Sequence, residues 1–202
     1  MPIGGGLGGG SSDAATTLLA CNRLWEAGCT REQLAQLALQ LWADVPFFVF
    51  GRNAYATGIG EALQPLQLPA QSFVVVAPPA TVATRDIFAD PDLTRETKPF
   101  KIDGLWRGRL GIYSGRNDLE PVVVRRFPAV AAALAALKES AVAAGMDPAL
   151  VRMSGSGACV FAPAPSASLA ERIAMDVLRC QVGTVRVADG LFEHPLGSRQ
   201  VG

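Results

Sequence analysis

The residues best suited to chemistry lie near the start of the sequence, where glycines lead directly into a segment with helical character. Glycine adopts positive φ without strain and lets the backbone come close to a ligand. The N–H groups at the start of a helix lack intrahelical acceptors, and the helix dipole favours a negative charge there. We therefore predict that the run binds phosphate through its backbone, with two serine hydroxyls as further donors. The run consists of Pro2, Ile3, Gly4, Gly5, Gly6, Leu7, Gly8, Gly9, Gly10, Ser11 and Ser12.

Other interpretations of this run stay open. A glycine–serine spacer has the same composition, but Leu7 and the direct entry into a helix at Asp13 argue against one. The glycine spacing also satisfies the dinucleotide-binding pattern G-x-G-x-x-G, yet the next acidic residue at a suitable distance, Glu26, ends a predicted helix when it should end a strand. A Walker A loop is excluded because no lysine precedes Ser11.

A second candidate is an acidic residue that precedes an apolar run. Asp44 follows a predicted helix that ends near Trp42 and precedes residues 45–50. Because the residue before Pro46 is disfavoured in the α region, we predict a buried strand over 47–50 and a helix-to-strand junction at Asp44. The carboxylate there either hydrogen-bonds its own turn or accepts the proton of a hydroxyl that attacks a phosphoryl group.

A second glycine–serine segment lies late in the sequence. Ser154, Gly155, Ser156 and Gly157 separate two apolar stretches, 150–153 and 159–162, that are predicted as paired strands. By itself this segment is typical of a hairpin turn. Its presence in the same chain as the first glycine run favours a contact with the ligand.

A polar segment at 117–120 precedes a predicted Ala-rich helix over 130–144. We interpret it as a helix cap, in which Asn117 or Asp118 accepts from the first-turn N–H groups. Glu120 would favour the positive end of the helix dipole.

Several of these segments resemble the GHMP kinase family. Residues 2–15 are similar to its ATP-phosphate loop, and residues 43–48 (ADVPFF), 117–120 (NDLE) and 153–161 (MSGSGACVF) are similar to further motifs of the family. The resemblance covers nearly the whole chain. It implies an α+β, two-domain GHMP kinase fold, with a partial N-terminal ribosomal-protein-S5-like domain and a ferredoxin-like C-terminal domain.

The resemblance also implies a small-molecule kinase that uses ATP and Mg²⁺, with Ser11 or Ser12 as a candidate metal ligand. Three glycines on each side of Leu7 are similar to the branch that phosphorylates the 2-hydroxyl of 4-diphosphocytidyl-2-C-methyl-D-erythritol in non-mevalonate isoprenoid synthesis. The family's carboxylate that faces the substrate hydroxyl maps onto Asp44. Thr97 and residues 154–157 match stretches that contact the substrate.

Two alternatives remain beside this function. The first alternative is a kinase of the homoserine or mevalonate class. Such kinases usually carry G-L-G-S-S-A where this chain has GLGGGSSD at 6–13, so this class ranks lower. The second alternative is a non-catalytic nucleotide-binding fragment, which would keep the fold without the complete site.

Hydrophobic periodicity supplies the elements that would position these residues. Ser11 or Ser12 is predicted to cap a helix that extends to about residue 27, with an apolar stripe of Ala14, Leu18, Cys21 and Trp25. A capping box at 30–33 begins a second helix whose apolar face carries Leu34, Leu37, Ala38 and Leu41. Strands at 73–77 and 184–187 and a helix at 169–178 follow. The proline-containing stretch 64–71 is the predicted linker, which gives domains 1–67 and 68–202.

The composition excludes several classes of function. The 18 basic and 18 acidic residues balance, so there is no electrostatic case for a nucleic-acid or anionic-membrane partner. The four cysteines show no C-x-x-C pairing, and the lone His194 lies far from most of them, so a Cys/His zinc site has no support. Sparse thiols and the lack of a long apolar segment predict a cytoplasmic protein.

The start of the sequence departs from the family pattern. In GHMP kinases the phosphate loop lies well inside the chain and follows a P-A-K-L-N segment whose lysine pairs with the carboxylate matched by Asp44. This chain has no lysine before Lys98. We therefore expect that these residues alone have impaired catalysis, and that the first domain is less stable than the second because its apolar segments lack covering strands.

Overall fold

A computed structural model describes residues 4–98 and 115–194, which divide into two compact units. The first, here called the helical unit, contains residues 8–69 and 191–194. The second, here called the sheet unit, contains residues 4–7, 70–98 and 115–190. The candidate phosphate loop therefore contributes to both units. Within the described ranges no helix is long and apolar enough to cross a membrane.

The helical unit consists of three helices and a hairpin. Helix α1 spans Gly9–Leu24, α2 spans Arg31–Leu41 and α3 spans Val45–Phe50. Strands β1, Ala54–Thr57, and β2, Ala62–Pro65, pair in an antiparallel ladder. The predicted capping box of α2 is confirmed, because the Thr30 hydroxyl accepts from the Gln33 N–H and the Gln33 side chain accepts from the Thr30 N–H.

The strand predicted over residues 47–50 is wrong, since these residues belong to helix α3. Pro46 stands in the first turn of α3, where its missing N–H removes no intrahelical hydrogen bond. A short apolar run has the same appearance in a buried strand and in one face of a buried helix. Asp44 therefore lies at a connection between two helices.

The core of the helical unit is small. Its buried apolar members are Ala15, Leu34, Ala38, Val45 and Val49. The apolar stripes predicted for α1 and α2 are only partly correct, because Trp25, Leu37 and Leu41 are exposed while Ala14 and Leu18 pack against the core.

The sheet unit is built on four antiparallel strands in the order β4-β5-β3-β6. Strand β3 spans Ser72–Ala77, β4 spans Arg152–Met153, β5 spans Val160–Ala164 and β6 spans Thr184–Asp189. Central strand β3 pairs with β5 and β6, and Val76 lies opposite both Val160 and Val185. This strand order, with helices between the strands, agrees with the predicted ferredoxin-like arrangement.

Four α-helices complete the described part of the sheet unit. They are α4 (Thr84–Phe88), α5 (Glu120–Arg126), α6 (Pro128–Ala143) and α7 (Ala167–Arg179). Alternate residues of β3 are buried, and Val74 and Val76 share one core with Leu137 of α6 and Ile173 of α7. Helices α5 and α6 are separated at Phe127, which is extended because Pro128 disfavours the α conformation in the preceding residue.

Burial distinguishes the thiols of the sheet unit. Cys159 is buried, and desolvation raises the pKa of its thiol, whereas Cys180 is exposed at the end of α7. Since the thiolate is the reactive form, we expect iodoacetamide near pH 8 to modify Cys180 at least roughly tenfold faster than Cys159 in the folded chain. Peptide mass spectrometry of a labelling time course measures this ratio, with urea-unfolded chain as the control. Equal native labelling rates would contradict the burial of Cys159.

Candidate functional site

The two glycine segments predicted separately from the sequence contact each other within the sheet unit. The first loop contributes residues 4–7, and the second loop is residues 154–157. The Ala158 N–H donates to the Gly4 carbonyl at 3.2 Å, and the Cys159 N–H donates to the Gly5 carbonyl at 3.1 Å. The Ser154 hydroxyl donates to the Gly6 carbonyl at 2.7 Å. Three consecutive carbonyls of the first loop are therefore bound by the second loop and the residues that follow it.

The backbone conformation of the first loop suits an anion. Gly4, Gly6 and Gly8 have φ of 71°, 69° and 68°, and the residues between them do not have positive φ. In known anion-binding loops, left-handed residues that alternate with right-handed ones turn successive N–H groups toward a common concavity, and glycine permits the left-handed positions. Because the carbonyls of Gly4, Gly5 and Gly6 are already bound, the N–H groups are what this backbone presents to a ligand.

The start of helix α1 belongs to the helical unit. Gly8 occupies the N-cap in the left-handed conformation, and its carbonyl accepts the first helical hydrogen bond, from the Ser12 N–H at 2.8 Å. The N–H groups of Gly9, Gly10 and Ser11 precede this bond and have no acceptor within the helix. The prediction that Ser11 or Ser12 caps the helix is wrong, because the helix begins two residues before Ser11.

Asp44 stands at the N-cap of α3, in the same unit as α1. Its side chain is exposed and accepts no capping hydrogen bond, so the carboxylate is not committed to its own helix. A Cβ on Gly8 would lie 2.7 Å from the ring of Phe48, which is part of α3. The absence of a side chain at Gly8 therefore permits the start of α1 to pack closely on the helix that carries Asp44.

Further polar residues hold the second glycine loop. The Thr84 and Ser156 hydroxyls are hydrogen-bonded at 2.7 Å, which joins the loop to the start of α4. Asn117 donates to the Met153 and Gly155 carbonyls, and Glu120 accepts from the Met153 N–H.

The interpretation of 117–120 as a helix cap is partly correct. The Asn117 side-chain oxygen accepts from the Leu119 N–H at 3.0 Å just before α5, and Glu120 lies in the first turn of α5. The N-cap residue itself is Leu119, which makes no side-chain cap, and the Asn117 side-chain nitrogen reaches the 153–155 backbone. Sequence reasoning missed Thr84 completely, because a threonine near a short helix carries no signal for a contact this distant along the chain.

The remaining predicted site residues are Pro2, Ile3 and Thr97. Pro2 and Ile3 lie outside the described residues. Thr97 is exposed, and its hydroxyl accepts from Arg116 at 2.7 Å. Arg116 also lines a cavity of about 330 Å³ with Thr94, Lys138 and Arg152. Among the described residues, no hydrogen bond joins Thr97 to either glycine loop.

A dedicated metal cage is not found in the described part of the chain. Residues 4–98 and 115–194 contain no group of three His, Cys, Asp or Glu side chains placed to hold a metal ion. The Ser11 and Ser12 hydroxyls lie in the first turns of α1 and are partly exposed.

The chain matches two family models. Residues 1–52 match the GHMP kinases N terminal domain, and residues 106–180 match the GHMP kinases C terminal domain. Similar curated proteins include a 4-diphosphocytidyl-2-C-methyl-D-erythritol kinase of Aromatoleum aromaticum, 50% identical over 97% of this chain and 64% of that protein. The kinase of the same name from Bordetella parapertussis is 49% identical over 97% of this chain and 67% of its own length. The chain thus spans about two thirds of the length of these relatives.

Solved structures show the same relationship. A crystal structure of 4-(cytidine 5'-diphospho)-2C-methyl-D-erythritol kinase has a TM-score of 0.73 at 34% identity and covers 94% of this chain and 67% of that one. A homoserine kinase from Cytophaga hutchinsonii has a TM-score of 0.71 at 20% identity over 96% of this chain and 68% of that one, which shows the shared fold. The chain belongs to the GHMP kinase family, and within it to the group of the 4-diphosphocytidyl-2-C-methyl-D-erythritol kinases. The predicted α+β GHMP kinase fold is confirmed.

Proposed function

We propose that the protein transfers the γ-phosphoryl group of ATP to the 2-hydroxyl of 4-diphosphocytidyl-2-C-methyl-D-erythritol. The observation that carries this proposal is the first glycine loop, whose carbonyls are bound by the second loop while its N–H groups are left for an anion. The names of the relatives at about 50% identity support the choice of substrate. A step of non-mevalonate isoprenoid synthesis follows from that substrate.

In this proposal the glycine run neutralises the phosphates and Asp44 serves the attacking hydroxyl. Residues 2–12 bind the ATP phosphates through backbone N–H groups and the start of α1. Asp44 accepts the proton of the substrate hydroxyl, a role supported by a carboxylate that is exposed and does not cap its own helix. Thr97 and residues 154–157 are proposed as substrate contacts. Domains 1–67 and 68–202 are proposed as the nucleotide-binding and C-terminal domains.

Mg²⁺ is proposed to accompany the nucleotide. Phosphoryl transfer depends on charge neutralisation, and Mg²⁺ in such sites takes most of its ligands from phosphates and water. The Ser11 and Ser12 hydroxyls fit this requirement as hard oxygen donors at the end of the phosphate loop. We also propose a cytoplasmic location and no nucleic-acid or membrane partner.

A direct assay tests the substrate. The chain, alone and fused behind the N-terminal segment of a relative, is incubated with ATP, Mg²⁺ and 4-diphosphocytidyl-2-C-methyl-D-erythritol, and phosphorus NMR follows the products. We expect the fusion to form ADP and a new phosphomonoester in equal amounts, and the chain alone to form both more slowly. Parallel reactions with homoserine and mevalonate serve as acceptor controls, and transfer to either of them in preference would contradict the proposed substrate. Nucleotide binding by the fusion without transfer to any acceptor would favour a non-catalytic nucleotide-binding protein.

A further inference from the structure

Strand β4 lies at the edge of the four-stranded sheet. Two side chains nevertheless form hydrogen bonds with the N–H and carbonyl groups of its last residue, Met153. Within the sheet, Met153 is paired with Val160 of β5. The Met153 N–H donates to Glu120 at 2.8 Å, and the Met153 carbonyl accepts from Asn117 at 3.1 Å. Edge strands leave such groups unpaired unless another element covers them. Asn117 and Glu120 therefore take the place of a neighbouring strand.

Asn117 uses its amide in a way that no other side chain of similar size reproduces. Its nitrogen donates to the Met153 carbonyl and, at 2.7 Å, to the Gly155 carbonyl. Its oxygen accepts from the Leu119 N–H at 3.0 Å. An amide has two donor hydrogens and one acceptor oxygen, which these three hydrogen bonds occupy. A carboxylate in this position would direct an oxygen at two carbonyl oxygens.

The segment that Asn117 holds is the one that binds the first glycine loop. Ser154 lies between the two carbonyls bound by Asn117, and its hydroxyl donates to the Gly6 carbonyl. A Cβ on Gly155 would lie 3.2 Å from the Gly6 carbonyl oxygen, so the two loops are in close contact there. Fixing the Met153 and Gly155 carbonyls fixes the orientation of the Ser154 hydroxyl between them.

We propose that Asn117 is a positioning residue for the nucleotide loop, and that it acts through residues 153–155 without touching the nucleotide. Glu120 assists by holding the Met153 N–H. The nucleotide part of this inference rests on the proposed function. The positioning of residues 4–6 by Asn117 does not, because it concerns contacts within the chain.

Amide hydrogen exchange tests the positioning without any ligand. The Ala158 and Cys159 N–H groups donate to the Gly4 and Gly5 carbonyls, so their protection reports whether the two loops are joined. We expect Asn117→Asp to accelerate exchange at both amides by roughly tenfold or more, since it removes two hydrogen bonds to one loop. The matched control is Asn53→Asp in the helical unit, where the amide also donates to a backbone carbonyl, that of Leu191. It should leave both amides unchanged.

Calorimetry with Mg-ATP on the same variants tests the nucleotide part. We expect Asn117→Asp to weaken ATP binding by about tenfold, with Asn53→Asp near the parent value. If the Asp variant does not fold, Asn117→Ser replaces it, because serine retains one donor and should show a smaller change in the same direction. Unchanged Ala158 and Cys159 exchange in a folded Asn117 variant overturns the inference. Accelerated exchange in a chain that binds no ATP at all supports the positioning and refutes the proposed function.

Discussion

Asp44→Asn is expected to lower kcat by a factor on the order of 10²–10⁴ while leaving the KM for ATP nearly unchanged. The substitution keeps the shape of the side chain and removes the proton acceptor. Asp44 makes no capping hydrogen bond with α3, so the change does not remove a contact that the helix needs. The loss should therefore appear in the transfer step. Steady-state kinetics with ATP, Mg²⁺ and the diphosphocytidyl substrate measure it in the chain fused behind the N-terminal segment of a relative.

The matched control for this variant is Asp176→Asn. Asp176 lies on α7 and forms an exposed pair with Arg179 at 3.1 Å, so the same chemical change there should leave kcat and KM unaltered. Both variants should retain the parent's melting temperature. A near-normal kcat for Asp44→Asn would remove the proposed proton acceptor and leave Asp44 as a turn residue.

Gly6→Ala is expected to separate the two glycine loops and to weaken ATP binding by at least about tenfold. A Cβ on Gly6 would lie 2.7 Å from the Gly157 carbonyl oxygen, and closer still to that of Ser154. Both neighbours are backbone atoms, so neither can move aside as a flexible side chain would. Titration calorimetry measures the affinity, and exchange at the Ala158 and Cys159 amides reports the loop contact.

Gly28→Ala is the control for Gly6→Ala. It separates the effect of the steric clash from the cost of placing alanine in a left-handed conformation. Gly28 has φ of 67°, close to the 69° of Gly6, but a Cβ there meets nothing within 4 Å. Both variants bear the strain of a left-handed alanine, about 1–2 kcal/mol, and only Gly6→Ala adds the contact with the second loop. Equal effects of the two substitutions on ATP affinity would show that the loop contact has no part in nucleotide binding.

Local signals in the sequence predicted much of the fold correctly. The capping box at Thr30, the β-branched run of β3 and the amphipathic pattern of α7 each depend on residues adjacent in the chain. Short-range patterns of this kind express backbone and periodicity preferences, so the sequence alone predicts them. The glycine run likewise predicted a phosphate-binding loop that leads directly into a helix; the helix is confirmed as α1, and the phosphate binding stays a prediction.

Other features depended on contacts that local patterns do not contain. Residues 45–50 form a helix because Val45 and Val49 enter the same small core as Ala15, whereas their apolar run alone favoured a strand. Trp25 continues the helical spacing of the α1 residues, but it is the C-cap residue of α1 and is exposed, since burial depends on which elements pack against each face.

By itself the sequence determined the family motifs, much of the alternation of helices and strands and the candidate residues for phosphate binding and proton transfer. Only the tertiary structure decided that the carbonyls of Gly4, Gly5 and Gly6 are held by residues near Ser154, and that Asn117 holds that segment in turn. The physical reason is the range of the interactions. Periodicity and turn chemistry act over a few residues, whereas the hydrogen bond between Ser154 and Gly6 joins groups 148 residues apart, and only packing brings them together.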